Sequence, residues 1–225
     1  ASSAQGVAKS SGILYVADWS NGLQIFDISD ETTPEEIGSF ELPSFSNDVA
    51  IDGDYAFISN NSDGLVSIDV SDTSNITLGD KLQLSGDEEN VTINGKYAYV
   101  TKGSDGFSIV DISDPTNLVN AGSHNTPGQA DEIKIVNDYA FVGDRNEGLR
   151  IIDVSDPSNT NEVGYYKSSG DINSVAIRGQ YAFVNSQGEG FKVLNINDLS
   201  HPYEVASITS GTWGYFQVRL WGNFA

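Results

Sequence analysis

The sequence predicts an all-β protein, a β-propeller of four-stranded blades, and three observations carry that reading. The first is an unbroken period. Five segments read GLQIFDISD, GLVSIDVSD, GFSIVDISD, GLRIIDVSD and GFKVLNIND, and their leading glycines (Gly22, Gly64, Gly106, Gly148, Gly190) stand 42 residues apart. The second is hydrophobic spacing of two, not 3.6, in short β-branched and aromatic runs separated by turn residues. The third is the number of such runs, four to each period, which is the spacing of a propeller blade. No stretch long enough for a helix carries a helical stripe.

Each element follows from its residues. NDVAIDG, from Asn47, shows the first strand of a repeat. The second is ILYVA from Ile13, then YAFIS, YAYVT, YAFVG and YAFVN from Tyr55, Tyr97, Tyr139 and Tyr181. Their Tyr/Phe alternation reads as packing between sheets. The third strand starts at the glycine column, where SN, SD, SD, NE and GE precede a glycine suited to positive φ in a hairpin. It runs into two polar columns. Asp27, Asp69, Asp111, Asp153 and Asn195 form one, and Asp30, Asp72, Asp114, Asp156 and Asp198 form the other. A strand-end Asp before Ser-Asp-Pro accepts hydrogen bonds from its own turn, so these columns read as blade architecture and not as ion sites. EEIGSFELP, ITLGDKLQL and EVGYYKSSG give the fourth strand. The repeats span approximately 5–46, 47–88, 89–130, 131–172 and 173–211 of a single propeller domain, 1–225. Residues 212–225 align with the start of the fifth repeat after a one-residue insertion, which pairs Gly222 with Gly179, so they read as the opening of a sixth.

Composition excludes several functions. With 32 acidic and 11 basic residues the formal charge is −21 and the pI about 4.1. That disfavours nucleic acid and anionic membrane surfaces, both of which need clustered Lys and Arg. No apolar run approaches the ~18 residues of a spanning helix. There is no cysteine, which removes thiol catalysis and Cys-zinc sites, and the two histidines, His124 and His201, fall in or near fourth strands. No phosphate-loop or EF-hand spacing occurs, so no catalytic residue is named and no enzyme is expected.

GLRIIDVSDPSNTNEVG and GFSIVDISDPTNLVNAG, preceded by YAFV or YAYV, closely resemble the LVIVD repeat, and the resemblance covers residues 5–211. It implies a propeller in a setting that is often secreted or surface-exposed. It supplies no activity. The expected role is therefore a noncatalytic extracellular or cell-surface binding or scaffold module. A carbohydrate-binding propeller is the first alternative, and a divalent-cation-dependent, hydrolase-like propeller enzyme is the second.

Binding is expected where repeats differ. By analogy with related propellers, the connection between strands two and three shares a face with the loop entering the first strand. That face offers Asp18, Trp19, Asn21, Lys102 and Arg145 to a protein or glycan ligand. Asp48, Glu89, Asp131 and Glu132 would line the same mouth. They are the candidates for Ca²⁺, in a chain otherwise expected to hold no cofactor. Among the Asn-x-Ser/Thr sequons, Asn75 in an exposed connection is the foremost glycan acceptor and Asn60 the next, whereas Asn90 opens a first strand. Finally, Trp213, Tyr215, Phe216, Val218, Leu220, Trp221 and Phe224 crowd the last residues with apolar groups. Such a strand needs cover, either from the rest of a sixth blade or from a second protomer that self-associates through 212–225.

Overall fold

The computed structural model describes residues 3–209 and 217–219. Twenty strands form five four-stranded antiparallel sheets, each in chain order, and no helix occurs among the described residues. Every repeat is thus one blade of the β-propeller type. The first holds β1 (Gly6–Ser10), β2 (Ile13–Ala17), β3 (Leu23–Asp27) and β4 (Glu35–Phe40). The second holds β5 (Ser46–Asp52), β6 (Tyr55–Asn60), β7 (Gly64–Asp69) and β8 (Thr77–Leu82). In the third are β9 (Val91–Asn94), β10 (Tyr97–Thr101), β11 (Phe107–Asp111) and β12 (Val119–His124). In the fourth are β13 (Glu132–Val136), β14 (Tyr139–Gly143), β15 (Leu149–Asp153) and β16 (Asn161–Tyr166). The fifth holds β17 (Asp171–Arg178), β18 (Tyr181–Gln187), β19 (Gly190–Asn195) and β20 (Tyr203–Ile208).

The chain divides into two compact units, residues 1–100 with 108–121, and 101–107 with 122–225. In the first, Leu23, Ile25, Ile58 and Ile68 centre one core cluster and Leu65, Val100, Val110 and Leu118 another. In the second, Leu149, Ile151, Val184 and Leu194 pack around Phe141. The middle strands are buried on both faces, as Ala56 to Asn60 of β6 and Ala140 to Gly143 of β14 show. Burial on both faces replaces apolar–polar alternation with a continuous apolar run. Fourth strands stay half exposed, and a bulge between the third and fourth recurs at Ile25, Ser67, Ile151 and Val193.

Two contacts join successive repeats. In the fourth strand, Gly164 of β16 faces the carbonyl oxygen of Leu199 so closely that a Cβ would overlap it. Gly38 and Gly122 meet Thr73 and Pro157 in the same way. The fifth repeat has Ala206 at this place, on β20, all of whose residues are exposed. The other contact links first strands. Asp48 Oδ2 accepts from the Asn90 side-chain amide and from Val91 N–H at 3.2 Å. Glu132 Oε2 accepts from Ser174 Oγ at 2.6 Å and Val175 N–H at 3.0 Å. Ser174 Oγ in turn accepts from Val218 N–H at 2.8 Å.

Val218 N–H therefore stands to Ser174 as Val91 N–H stands to Asp48 and Val175 N–H to Glu132, one residue further along the chain, and Val218 is 7% exposed. Val7, at the same place in β1, is 62% exposed. The other apolar residues singled out in 212–225 lie outside the described residues.

Both aspartate columns close their own turns. Asp27, Asp69, Asp111 and Asp153 each accept from the backbone N–H two residues on, at 2.7–3.0 Å. Asp30, Asp72, Asp114, Asp156 and Asp198 do likewise at 2.9–3.0 Å. Hydrogen bonds to the ionised form hold the carboxyls of Asp27, Asp30, Asp69, Asp72, Asp111, Asp114, Asp153 and Asp198 low. The Ser113 hydroxyl, then Lys96 and the Ser113 N–H, bring Asp111 to about 2. Ser168 lowers Glu189 to about 2, and Lys192 does the same for Glu204.

Groups lowered by folding add stability that is complete above their unfolded values, near about pH 4, and lost as pH falls through the folded ones. Asp131 and Asp144, pushed up mainly by burial, act in the opposite sense and are outnumbered. Melting temperature is expected to hold between about pH 7 and pH 5 and to drop between about pH 4 and pH 2. A level profile through the acid range would show that the turn bonds do not persist in solution.

Candidate functional site

The connection between second and third strands is built alike in each repeat. Its first residue is buried: Asp18, Asn60, Lys102, Asp144 or Ser186. The backbone N–H groups of Asp18, Lys102 and Asp144 each donate to the glycine-column carbonyl at 2.8 Å, closing a tight turn. The side chains of Asp18, Asn60, Asp144 and Ser186 turn inward and pin the loop that enters their own repeat. Asp18 Oδ1 accepts from Ser3 N–H at 2.8 Å, and Asn60 Nδ2 donates to the Ser44 carbonyl at 3.2 Å. Asp144 accepts from Thr126 Oγ1 at 2.6 Å and Gly128 N–H at 2.9 Å. Ser186 Oγ lies 2.7 Å from Ser168 Oγ. Asp18 and Lys102, expected to meet ligand, are 3% and 5% exposed, and Asp18 is one of these anchors. Asn21 stays at the surface, its amide donating to Asp18 Oδ2 at 2.9 Å.

The second residue of the connection varies, with Trp19 exposed and Asn61, Gly103, Arg145 and Gln187 half-buried. Isolated bridges pair Trp19 with Ser46, Gly103 with Ala130, and Arg145 with Ile172, so this loop abuts the one entering the next repeat. The turn wants a left-handed backbone at this point. Gly103 has φ 54°, Trp19 φ 24° and Arg145 φ 39°. A side chain held there costs on the order of 1–3 kcal/mol.

Trp19 stacks on Phe45 with ring centroids 4.4 Å apart and planes tilted 30°, and each residue is 42% exposed. Arg145 Nε reaches both oxygens of Asp131 at 2.8 Å, and its Nη1 donates to Gln129. Phe45 went unnoticed in the sequence. Its one signal is a large aromatic between serines in a loop.

Asp48, Glu89, Asp131 and Glu132 are the carboxylates expected at a cation. Among the described residues no three His, Asp or Glu side chains form a metal cage. Asp48 is engaged by Asn90 and Val91, and Asp131 by Arg145. Glu132 receives Lys134 Nζ at 2.7 Å and Arg219 Nη1 at 2.5 Å on Oε1, besides Ser174 and Val175 on Oε2. Burial pushes the Glu132 carboxyl up, and these cations and hydrogen bonds overcome it, leaving the group below its ordinary value. Glu89 is exposed.

Asn60 is fully buried, whereas Asn75 is exposed with its side chain open to solvent. His124 stacks on Phe107 at 5.8 Å and lies 2.9 Å from Thr160 Oγ1, its pKa lowered by burial. His201 is exposed beside Ser200 and Asp198.

Comparison with known proteins agrees with this architecture. The LVIVD repeat profile matches five times, at residues 1–41, 45–82, 85–126, 127–168 and 169–210. No curated protein matches the chain. Among solved structures it is similar to the computationally designed protein Ika8, at 9% identity and TM-score 0.76, covering 98% of this chain and 66% of that one. It is similar also to a functionally unknown protein from Desulfotomaculum acetoxidans, at 16% identity and TM-score 0.78, covering 92% and 70%. A third is the β-propeller domain of Cps50 (Swd1) from Myceliophteria thermophila, at 14% and 0.71, covering 93% and 73%. Likeness at these identities is one of fold.

Proposed function

Because the chain belongs to the LVIVD-repeat family, and its first repeat presents an exposed Trp19 at a turn position where the other repeats differ, we propose that it is a noncatalytic binding and scaffold module acting outside the cytoplasm. The observation that carries the reading is Trp19. A bulky aromatic sits in a left-handed turn where the third repeat has glycine, stacked on Phe45 and open to solvent. Strain kept at a surface position is accounted for by use of that surface. Asp18 beneath it supports the platform, its carboxylate spent on Ser3 and Asn21. The acidic surplus suits a soluble protein in a salty, extracellular setting.

The aromatic pair also favours a glycan over a charged ligand, since sugar rings stack on exposed aromatic faces. No catalytic role is proposed, because Asp48, Asp131 and Glu132 are engaged by protein donors.

Trp19→Gly tests the reading. Relief of the backbone strain offsets the lost stacking, so stability is expected to stay within about 1 kcal/mol of the parent. Binding on a glycan array is expected to disappear. Array binding that survives both Trp19→Gly and Phe45→Ala would move the ligand elsewhere, and a parent that binds no glycan leaves the protein-ligand form of the proposal.

A further inference from the structure

Beside the first strands of the fourth and fifth repeats lies a cleft of about 270 Å³, lined by Lys134, Ile135, Val136, Ile177, Val218 and Arg219. It is small for a ligand site, which commonly begins at about 300 Å³. Its charge is unusual for this chain. Of only 11 basic residues in a protein of net charge −21, two converge here. Both point at one oxygen, Glu132 Oε1, from 2.7 and 2.5 Å, while Oε2 is filled by Ser174 and Val175. Among the described lining residues the charged side chains are the two cations Lys134 and Arg219, which share the one carboxylate of Glu132.

Donors are also in surplus. Lys134 Nζ carries three N–H groups and, among the described residues, makes one ion pair, with Glu132. The guanidinium of Arg219 has five, and bonds Glu132, the Val218 carbonyl and Gln217. Its side chain is about half exposed. The remaining walls are aliphatic. A second cleft, of about 410 Å³, shares Val136 and Ile177 with the first and adds Tyr139, Phe141 and Leu199, with no charged side chain in its lining.

We propose that this cleft binds a small monocarboxylate with an apolar tail, its carboxylate held by Lys134 and Arg219 and its tail against Val136, Ile177 and Val218. The chemistry is that of charge-assisted hydrogen bonds at one end and aliphatic contact at the other. The site is independent of the Trp19 platform.

The test is a methyl-resolved NMR titration of the intact chain with hexanoate, using hexan-1-ol as its uncharged counterpart. Saturable shifts are expected at Ile135, Ile177 and Val218 with hexanoate, with the alcohol at least about tenfold weaker. Arg219→Gln and, separately, Lys134→Gln are expected to weaken hexanoate by about tenfold while leaving the weak alcohol response unchanged. N-acetyl-leucine and N-acetyl-leucinamide then distinguish a free acid from a peptide C-terminus. An acetyl-leucine response stronger than that to hexanoate assigns the carboxylate to a chain end. Equal binding of acid and alcohol, or no saturable shift at these methyls, overturns the proposal.

Discussion

Gly148→Val is expected to lower stability by at least about 3 kcal/mol. Gly148 has φ 88°, a region that a β-branched residue does not enter without strain. A Cβ there would also overlap the carbonyl oxygen of Tyr166 in the neighbouring strand. That neighbour is backbone, fixed by the pairing of Leu149 with Tyr166, and cannot swing aside like a side chain. The hairpin must reopen to accept the change. Urea unfolding measures the loss, and an unchanged midpoint would refute the turn geometry.

Gly164→Ala is expected to cost about 2–3 kcal/mol, although it adds a single methyl to a half-exposed strand. The methyl would enter the space held by the Leu199 carbonyl, so the fourth and fifth repeats would have to separate locally. The matched substitution in the fifth repeat, Ala206→Gly, replaces an exposed residue on β20 and is expected to cost no more than about 1 kcal/mol through chain entropy alone. Thermal melts of the two variants should differ clearly. Equal losses would mean that the glycine is kept for backbone reasons and not for the approach of the next repeat.

Most of the fold was legible because its signals are local and recur. A glycine at the start of each third strand and an Asp-x-Ser-Asp at its end (Asn-Ile-Asn-Asp in the fifth repeat) need only their own turns, and the two end residues accept the same backbone bonds in every repeat. The candidate site was harder for a physical reason. Asp18 and Lys102 stand in a column that changes from repeat to repeat, and variation in a loop suggested exposure. In fact Asp18, Asn60, Asp144 and Ser186 each fit a different incoming loop from below. The partners of Asp48 and Glu132 lie a whole period away, in Asn90 and Ser174, where no local pattern points to them. Trp19 could be recognised as an exposed aromatic, but Phe45 beneath it belongs to a different loop and no sequence rule joins the two.

The bonds between first strands have a consequence for how such a chain can grow. Their column reads Gly6, Asp48, Asn90, Glu132, Ser174, so an acid in the second repeat meets an amide in the third and an acid in the fourth meets a hydroxyl in the fifth. The visible period is one repeat, but the alternation of acceptor and donor has a period of two. Excising the third repeat by recombination would set Asp48 against Glu132, two carboxylates competing for a bond that neither can donate. Excising the third and fourth together would set Asp48 against Ser174 and keep the partnership whole. At this seam the heritable module is therefore the pair of blades, and gains or losses of single blades must be accompanied by a change of residue in the column.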